Sequence, residues 1–167
     1  MLTNDAIISD CGSYRYVLTR KLGTSPKTAT FIMLNPSTAD DTVDDQTIRK
    51  CIGFCEKWGC GGFRVVNLFA LRARNPNEMK KHPLPHGPEN RKHFDEAMRI
   101  AKSCPHKGPV ICAWGNHGTH LRQDLVVIGW LKRHQIASKA IAITKTGQPA
   151  HPLTLSYSLP LITYPDN

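Results

Sequence analysis

The sequence is short of several features that would settle its class at once. No apolar run approaches the roughly 20 residues that span a bilayer, so neither a membrane-crossing helix nor a membrane partner is expected. The opening residues, MLTNDAIISD, lack the basic segment and long apolar core of an export signal, and a cytoplasmic protein is expected. Six cysteines are present, but no Cys-x-x-Cys pair. Scattered thiols without an export signal read as reduced. Cys51 and Cys55 lie four apart on an expected helix with Cys60 just beyond, and they read as buried apolar thiols, not as ligands of a metal or an iron–sulfur cluster. No cofactor and no metal is therefore expected. There is no internal repeat and no low-complexity tract. Acidic residues are the scarcer charge, 13 against 22 basic ones, for a formal net charge of +9. That balance favours polyanionic partners such as nucleic acid.

The 167 residues suit a single domain, 1–167, with a full core of its own, and a monomer is expected. YRYVLTRKL (14–22) alternates as a strand or hairpin arm, with Tyr16 and Leu18 on one face. TFIML (30–34) has the β-branched and aromatic content of a buried strand. A helix is expected over 46–59, capped by Asp44 or Asp45, with an apolar stripe of Ile48, Cys51, Ile52 and Cys55 and a stop at Gly59. There follow a strand FRVVNLFAL (63–71), a polar loop rich in Pro, His and Asn (72–90), a helix about 91–103, a strand 109–114, a helix 121–134, a strand 139–144 and a loop-like end. Strands separated by helices of ten or more residues imply crossover connections. The expected fold is α/β, three layers α/β/α around a central, mostly parallel sheet of four to five strands.

In open α/β sheets ligands bind at the carboxyl ends of the strands, so the strand endings carry the functional information. Pro36 lacks an N–H and biases Asn35 toward an extended conformation, which stops the first buried strand and presents the amide at that edge; a plain loop is the alternative. Asn67 interrupts the apolar run RVVNLFAL, so its amide is expected to be buried and must find partners. Its donors and acceptor match the edge of a pyrimidine or an adenine, and a structural hydrogen bond to a neighbouring strand is the alternative. His151, held extended by Pro152, can donate a hydrogen bond to a developing anion. Of the eight histidines, His82, His86, His93, His106 and His134 sit among charges and read as surface residues. Asp40, Asp41, Asp44 and Asp45 could together hold a divalent cation, but a solvated turn running into a capped helix explains them more simply. The glycines of AWGNHG either expose N–H groups to a phosphate or permit a tight turn.

The order MLNPS, VVNLFALRA, VICAWGNHG, GQPAHPLTLS resembles the motif order of the uracil-DNA glycosylase superfamily over most of residues 29–157. With FIMLNPSTAD, VVNLFALRA and AWG, the whole chain also resembles a small family of uncharacterised bacterial and phage proteins, a likeness that supplies no activity. The superfamily resemblance implies hydrolysis of a base N-glycosidic bond in DNA, with Asn35 orienting water, Asn67 reading the base edge and His151 stabilising the departing base. It implies a base pocket of Leu34, Pro36, Asn67 and Phe69. It also implies DNA or phosphate contacts from Ser37, Arg72, Arg74, Gly115, Asn116, Lys145, Thr154 and Ser156. Asp40, Asp45 and Trp114 stand beside these as additional candidate site residues. Reaching the bond in a duplex requires flipping the nucleotide, and Leu153, Leu155 or Tyr157 would be the wedge.

The sequence departs from the superfamily pattern at three places. Leu34 and Ser37 flank the Asn-Pro pair where glycines are usual, Leu153 stands in the serine position of His-Pro-Ser, and STADDTVDD offers no aromatic to stack on a base. A modified base, or a free nucleotide or nucleoside, fits these departures as well as uracil does. Two other readings stand beside the glycosylase: a protein of the same fold that binds DNA or a nucleotide without cleaving it, and a metal-dependent nucleotide- or DNA-modifying enzyme using Asp40 and its neighbours.

Overall fold

In the computed structural model, which describes residues 2–166, seven strands form one sheet: β1 (Asp5–Ile8), β2 (Arg15–Lys21), β3 (Thr28–Met33), β4 (Gly62–Asn67), β5 (Lys107–Cys112), β6 (Ser138–Ala140) and β7 (Ile162–Thr163). Their order is β1-β2-β4-β3-β5-β6-β7. The four inner strands run parallel, in register Met33 to Asn67 and Ile32 to Cys112. The outer pairings β1·β2, β2·β4 and β6·β7 are antiparallel. The expectation of four to five mostly parallel strands is therefore corrected to a mixed sheet of seven. Only the inner four strands are joined by helical crossovers that force parallel pairing. The additions come from the two ends of the chain: β1 is a half-exposed edge strand without an apolar run, and β7 has two residues, too few for a periodic signal.

Four helices, α1 (Gln46–Lys57), α2 (Pro76–Lys81), α3 (Asn90–Ser103) and α4 (Gln123–Arg133), accompany the sheet. Period-two alternation sends neighbouring strand residues to opposite faces, and two cores result. Leu18, Phe31, Met33, Val65 and Ile111 pack on one face with Ile48, Cys51, Phe54 and Cys55 of α1. Tyr16, Ile32, Val66 and Cys112 pack on the other with Phe94 and Met98 of α3 and Val127 and Leu131 of α4. Tyr16 and Leu18, expected on one face, thus serve different cores. In α1 Phe54, and not Ile52, completes the buried stripe. Each such side chain contributes about 1.5–3 kcal/mol when fully buried, which makes the helix faces, not helix propensity, the source of this packing. Asp45 is the N-cap of α1, accepting from Ile48 N at 2.9 Å, and Gly59 at φ +67° ends it.

Local boundaries also shift. The expected loop 72–90 contains α2, capped by the Asn75 side chain and opened by Pro76. The helix expected from residue 121 begins at Gln123, because Leu121 and Arg122 have positive φ and follow a 3₁₀ segment. The strand expected over 139–144 stops at Ala140; beyond it the chain folds into a turn closed by Thr144 N to Gln148 O and Ala150 N to Ala142 O. Among the described residues no helix is long and apolar enough to cross a membrane.

The topology also fixes where a ligand can sit. From β3 the chain crosses by α1 to β4 on one side, then returns by α3 to β5 on the other. The connections leaving the adjacent strands β3 and β5 therefore diverge, and the gap between them at their carboxyl ends is a topological switch point.

Candidate active site

A cleft of about 990 Å³ opens at that switch point. All four parallel strands send a loop to it: Leu34, Asn35 and Ser37 after β3, Asn67 at the end of β4, Trp114, Gly115 and Asn116 after β5, and Thr144, His151 and Thr154 after β6. Arg74, Asp44, Asp45 and Leu153 are further sequence-derived residues that line it. Its size exceeds that of a free base and suits a nucleotide with flanking backbone.

Asn35 is held by its own amide nitrogen. Nδ2 donates to the carbonyls of Pro36 at 3.0 Å, Leu71 at 3.4 Å and Ala73 at 2.9 Å. An acceptor could not face three carbonyl oxygens, so the amide has one orientation and Oδ1 is left as its acceptor. The segment following Pro36 is held in turn, with Ala73 N donating to Pro36 O at 2.9 Å.

Asn67 shares its sheet face with Phe63 and Val65, the face that α1 covers, and is 1% exposed. Its Nδ2 has no hydrogen-bond partner. An orphaned buried donor costs about 1–3 kcal/mol, a state Asn67 Nδ2 shares with Arg15 Nε and Asn90 Oδ1. Behind it, Asn90 Nδ2 donates to the backbone carbonyls of Asn67 at 3.1 Å and Leu68 at 3.3 Å, pinning the strand end.

His151 opens a 3₁₀ turn (Pro152–Thr154), and its Nδ1 accepts from Leu153 N at 3.3 Å. The ring proton is consequently on Nε2. Burial pushes the imidazole below its ordinary pKa, with Asp45 pulling the other way, so the ring is a neutral N–H donor. Five hydrogen bonds hold this loop to the β5 exit and to the start of α4. Trp114 Nε1 donates to Gln148 Oε1 at 2.8 Å and Gln148 Nε2 to buried Asp124 Oδ2 at 3.0 Å. Gly115 N, at φ +69°, donates to Pro149 O at 2.8 Å. Thr144 and Thr146 hydroxyls both donate to Asn116 Oδ1, at 2.6 and 2.7 Å.

Other expected site residues are placed elsewhere. Phe69 is fully buried beside His86 and His120, with ring centroids 4.8 and 5.5 Å away. Pro36 is buried beneath the cleft rim. Arg72 reaches Gly12 O at 3.3 Å, outside the cleft. Lys145 is exposed on the turn after β6, and Ser156 bonds Ser158. Of the wedge candidates, Leu153 is 41% exposed at the cleft, whereas Leu155 packs on the α1 core and Tyr157 lies edge-on to Phe54. The acidic run does not converge on a point. Asp40 Oδ1 accepts from Thr42 N and Val43 N, Asp44 pairs with Arg20 Nε at 2.7 Å, and Asp45 caps α1. Among the described residues no three His, Cys, Asp or Glu side chains are grouped to hold a metal ion.

Sequence reasoning missed Arg15, Arg49 and His117, which also line the cleft. Arg15 is 3% exposed, and burial pulls its pKa down to about 10. The charged residue inside YRYVL was the available signal. His117 Nδ1 lies 2.9 Å from Lys80 Nζ, a contact between distant segments with no local signature.

The profile of one family, described as a protein of unknown function (DUF1643), matches residues 15–153, a span that includes every cleft loop except the last residue, Thr154. No curated protein and no solved structure matches the chain.

Proposed function

The chain belongs to the DUF1643 family, and from that premise, which carries no activity, we propose that it is a DNA base N-glycosylase acting on an uncommon or modified base. The observation that carries the reading is that one cleft holds a fixed amide oxygen at Asn35, an unpartnered amide donor at Asn67 and a neutral Nε2–H donor at His151. Dissociative cleavage of an N-glycosidic bond leaves a cationic sugar and an anionic base. It asks for a positioned water and a donor to the base more than for a strong base. Asn35 Oδ1 accepts a hydrogen bond from the attacking water and orients it, Asn67 Nδ2 donates to a base carbonyl or ring nitrogen, and His151 Nε2–H stabilises the departing anion. Helices on both faces of a sheet whose inner strands are parallel support a three-layer arrangement of the uracil-DNA glycosylase type. Arg49 and Arg74 at the cleft, with the net charge of +9, suit a phosphate backbone, and exposed Leu153 suits a wedge.

The test is alkaline cleavage of end-labelled oligonucleotides carrying uracil, mismatched, oxidised or hypermodified bases, single- and double-stranded, with EDTA present. Strand breaks at one base that disappear with Asn35→Ala support the reading and name the substrate. Tight binding with no abasic product would replace it with a non-cleaving base-binding protein. Among the described residues buried Trp114 is the one Phe, Tyr or Trp lining the cleft, and that favours the second reading.

A further inference from the structure

Asn35 is an uncharged residue at the position where the cleft must face a cation. Its NH₂ group is committed to three carbonyls, so it presents one acceptor dipole and no charge. Two carboxylates line the cleft, Asp44 and Asp45. Asp44 is spent on Arg20, at 2.7 Å. Asp45 is half-buried and makes none of the ion pairs found among the described residues. Its Oδ1 accepts from the Ile48 N–H at 2.9 Å, and no side-chain or backbone donor among the described residues bonds Oδ2. The α1 cap thus fixes the carboxylate without neutralising it, in the same cleft as the orphaned Asn67 donor and His151.

We infer that Asp45 is a catalytic carboxylate of this cleft, stabilising the cationic sugar that neutral Asn35 cannot. The inference rests on the glycosylase reading. The C1′–N bond breaks with its electron pair leaving on the base, which His151 Nε2–H stabilises by hydrogen bonding. The water held by Asn35 then adds its oxygen to C1′, and the proton it loses passes to Asp45 Oδ2 and on to solvent. A charge held at the site of developing cation is worth most where water is excluded. The electrostatic contacts agree: the Asp45 charge acts on both His151 and Arg15.

Asp45→Asn is the decisive variant, because asparagine caps a helix as well as aspartate and so removes the charge while keeping α1. The expected result is a Tm clearly above that of Asp45→Ala and unchanged affinity for an abasic-site oligonucleotide, with single-turnover cleavage slowed about 10²–10³-fold, the size seen for loss of one transition-state electrostatic contact. Asp45→Ala serves as the contrast, losing both cap and charge. If Asp45→Asn cleaves at the wild-type rate while Asn35→Ala is inactive, the inference falls and the glycosylase reading stands. If Asp45→Asn is slow but also melts lower in step with Asp45→Ala, the residue is a structural cap and the inference falls. If the wild-type chain cleaves no base, the reading and the inference fall together.

Discussion

A methyl group placed on Gly118 would stand 2.1 Å from Cδ1 of Trp114. The indole is 1% exposed and anchored through Nε1 to Gln148, so it has no free end that could swing aside. Gly118→Ala is therefore expected to displace Trp114, break the link to the His151 loop and lower Tm and, on the proposed glycosylase reading, cleavage. Gly129→Ala, where nothing lies within 4 Å in the middle of α4, should raise stability by about 0.5–1 kcal/mol. Thermal melts of the two variants side by side check the contrast.

Substituting Asn35 with Asp is expected to destabilise the chain, even though the two side chains have the same shape. Its second oxygen would face the carbonyls of Pro36, Leu71 and Ala73, where Nδ2 now donates. Losing the donor at a part-buried site should cost about 1–3 kcal/mol, read as a fall in Tm of several degrees. A melt unchanged from wild type would show that the amide orientation described above is wrong.

His151 makes stability depend on pH with a definite sign. Its folded pKa lies below the unfolded one because burial disfavours the charged ring, so the unfolded chain binds this proton more readily. The stabilisation is complete above the unfolded value of about 6.5 and is lost as pH falls from there through the folded value. The Tm gap between wild type and His151→Asn should accordingly shrink on acidification below that value. On the proposed glycosylase reading, cleavage should fall over the same range, since a proton on Nδ1 removes the acceptor for Leu153 N–H.

The thiols divide by environment. Cys11 is exposed, and hydrogen bonds from Ser9 and Ser13 bring its pKa down to about 7; burial raises Cys51 and Cys112 above the ordinary thiol range. Iodoacetamide near neutral pH should alkylate Cys11 first and leave Cys51 and Cys112 unmodified in the folded chain, as peptide mass mapping would show.

Truncating Asn90 should injure the cleft from behind. Its amide holds the carbonyls of Asn67 and Leu68, so on the proposed glycosylase reading Asn90→Leu is expected to weaken base discrimination more than DNA affinity. Cleavage rates on two competing bases, compared with binding of an abasic oligonucleotide, separate the two effects.

Much of the cleft lining was legible because Asn35, Trp114 and His151 each follow a parallel strand and Asn67 ends one, and strand endings show as breaks in an apolar run. What was not legible depended on strand direction. Arg15 reaches the cleft because β2 is antiparallel to β4, which puts its first residue at the carboxyl edge of the inner strands; periodicity carries no sign. Phe69 lies two residues beyond Asn67 and would share its face if β4 continued. The strand ends at Asn67, however, and the next residues turn into the α3/α4 core. β1 and β7 went unseen because edge strands of four and two residues have too little buried surface to leave a pattern.

The chain of bonds from Trp114 through Gln148 to Asp124, together with the bonds of Thr144 and Thr146 to Asn116, joins the β5 exit, the start of α4 and the His151 loop. These segments therefore form an indivisible cassette. Recombining one of them between homologous proteins would strand a buried carboxylate or an indole N–H, whereas transferring residues 114–124 and 144–151 together would carry every partner along. Substrate preference in such chimaeras should thus be inherited as a block, with single-loop swaps yielding poorly folded protein in place of intermediate specificity.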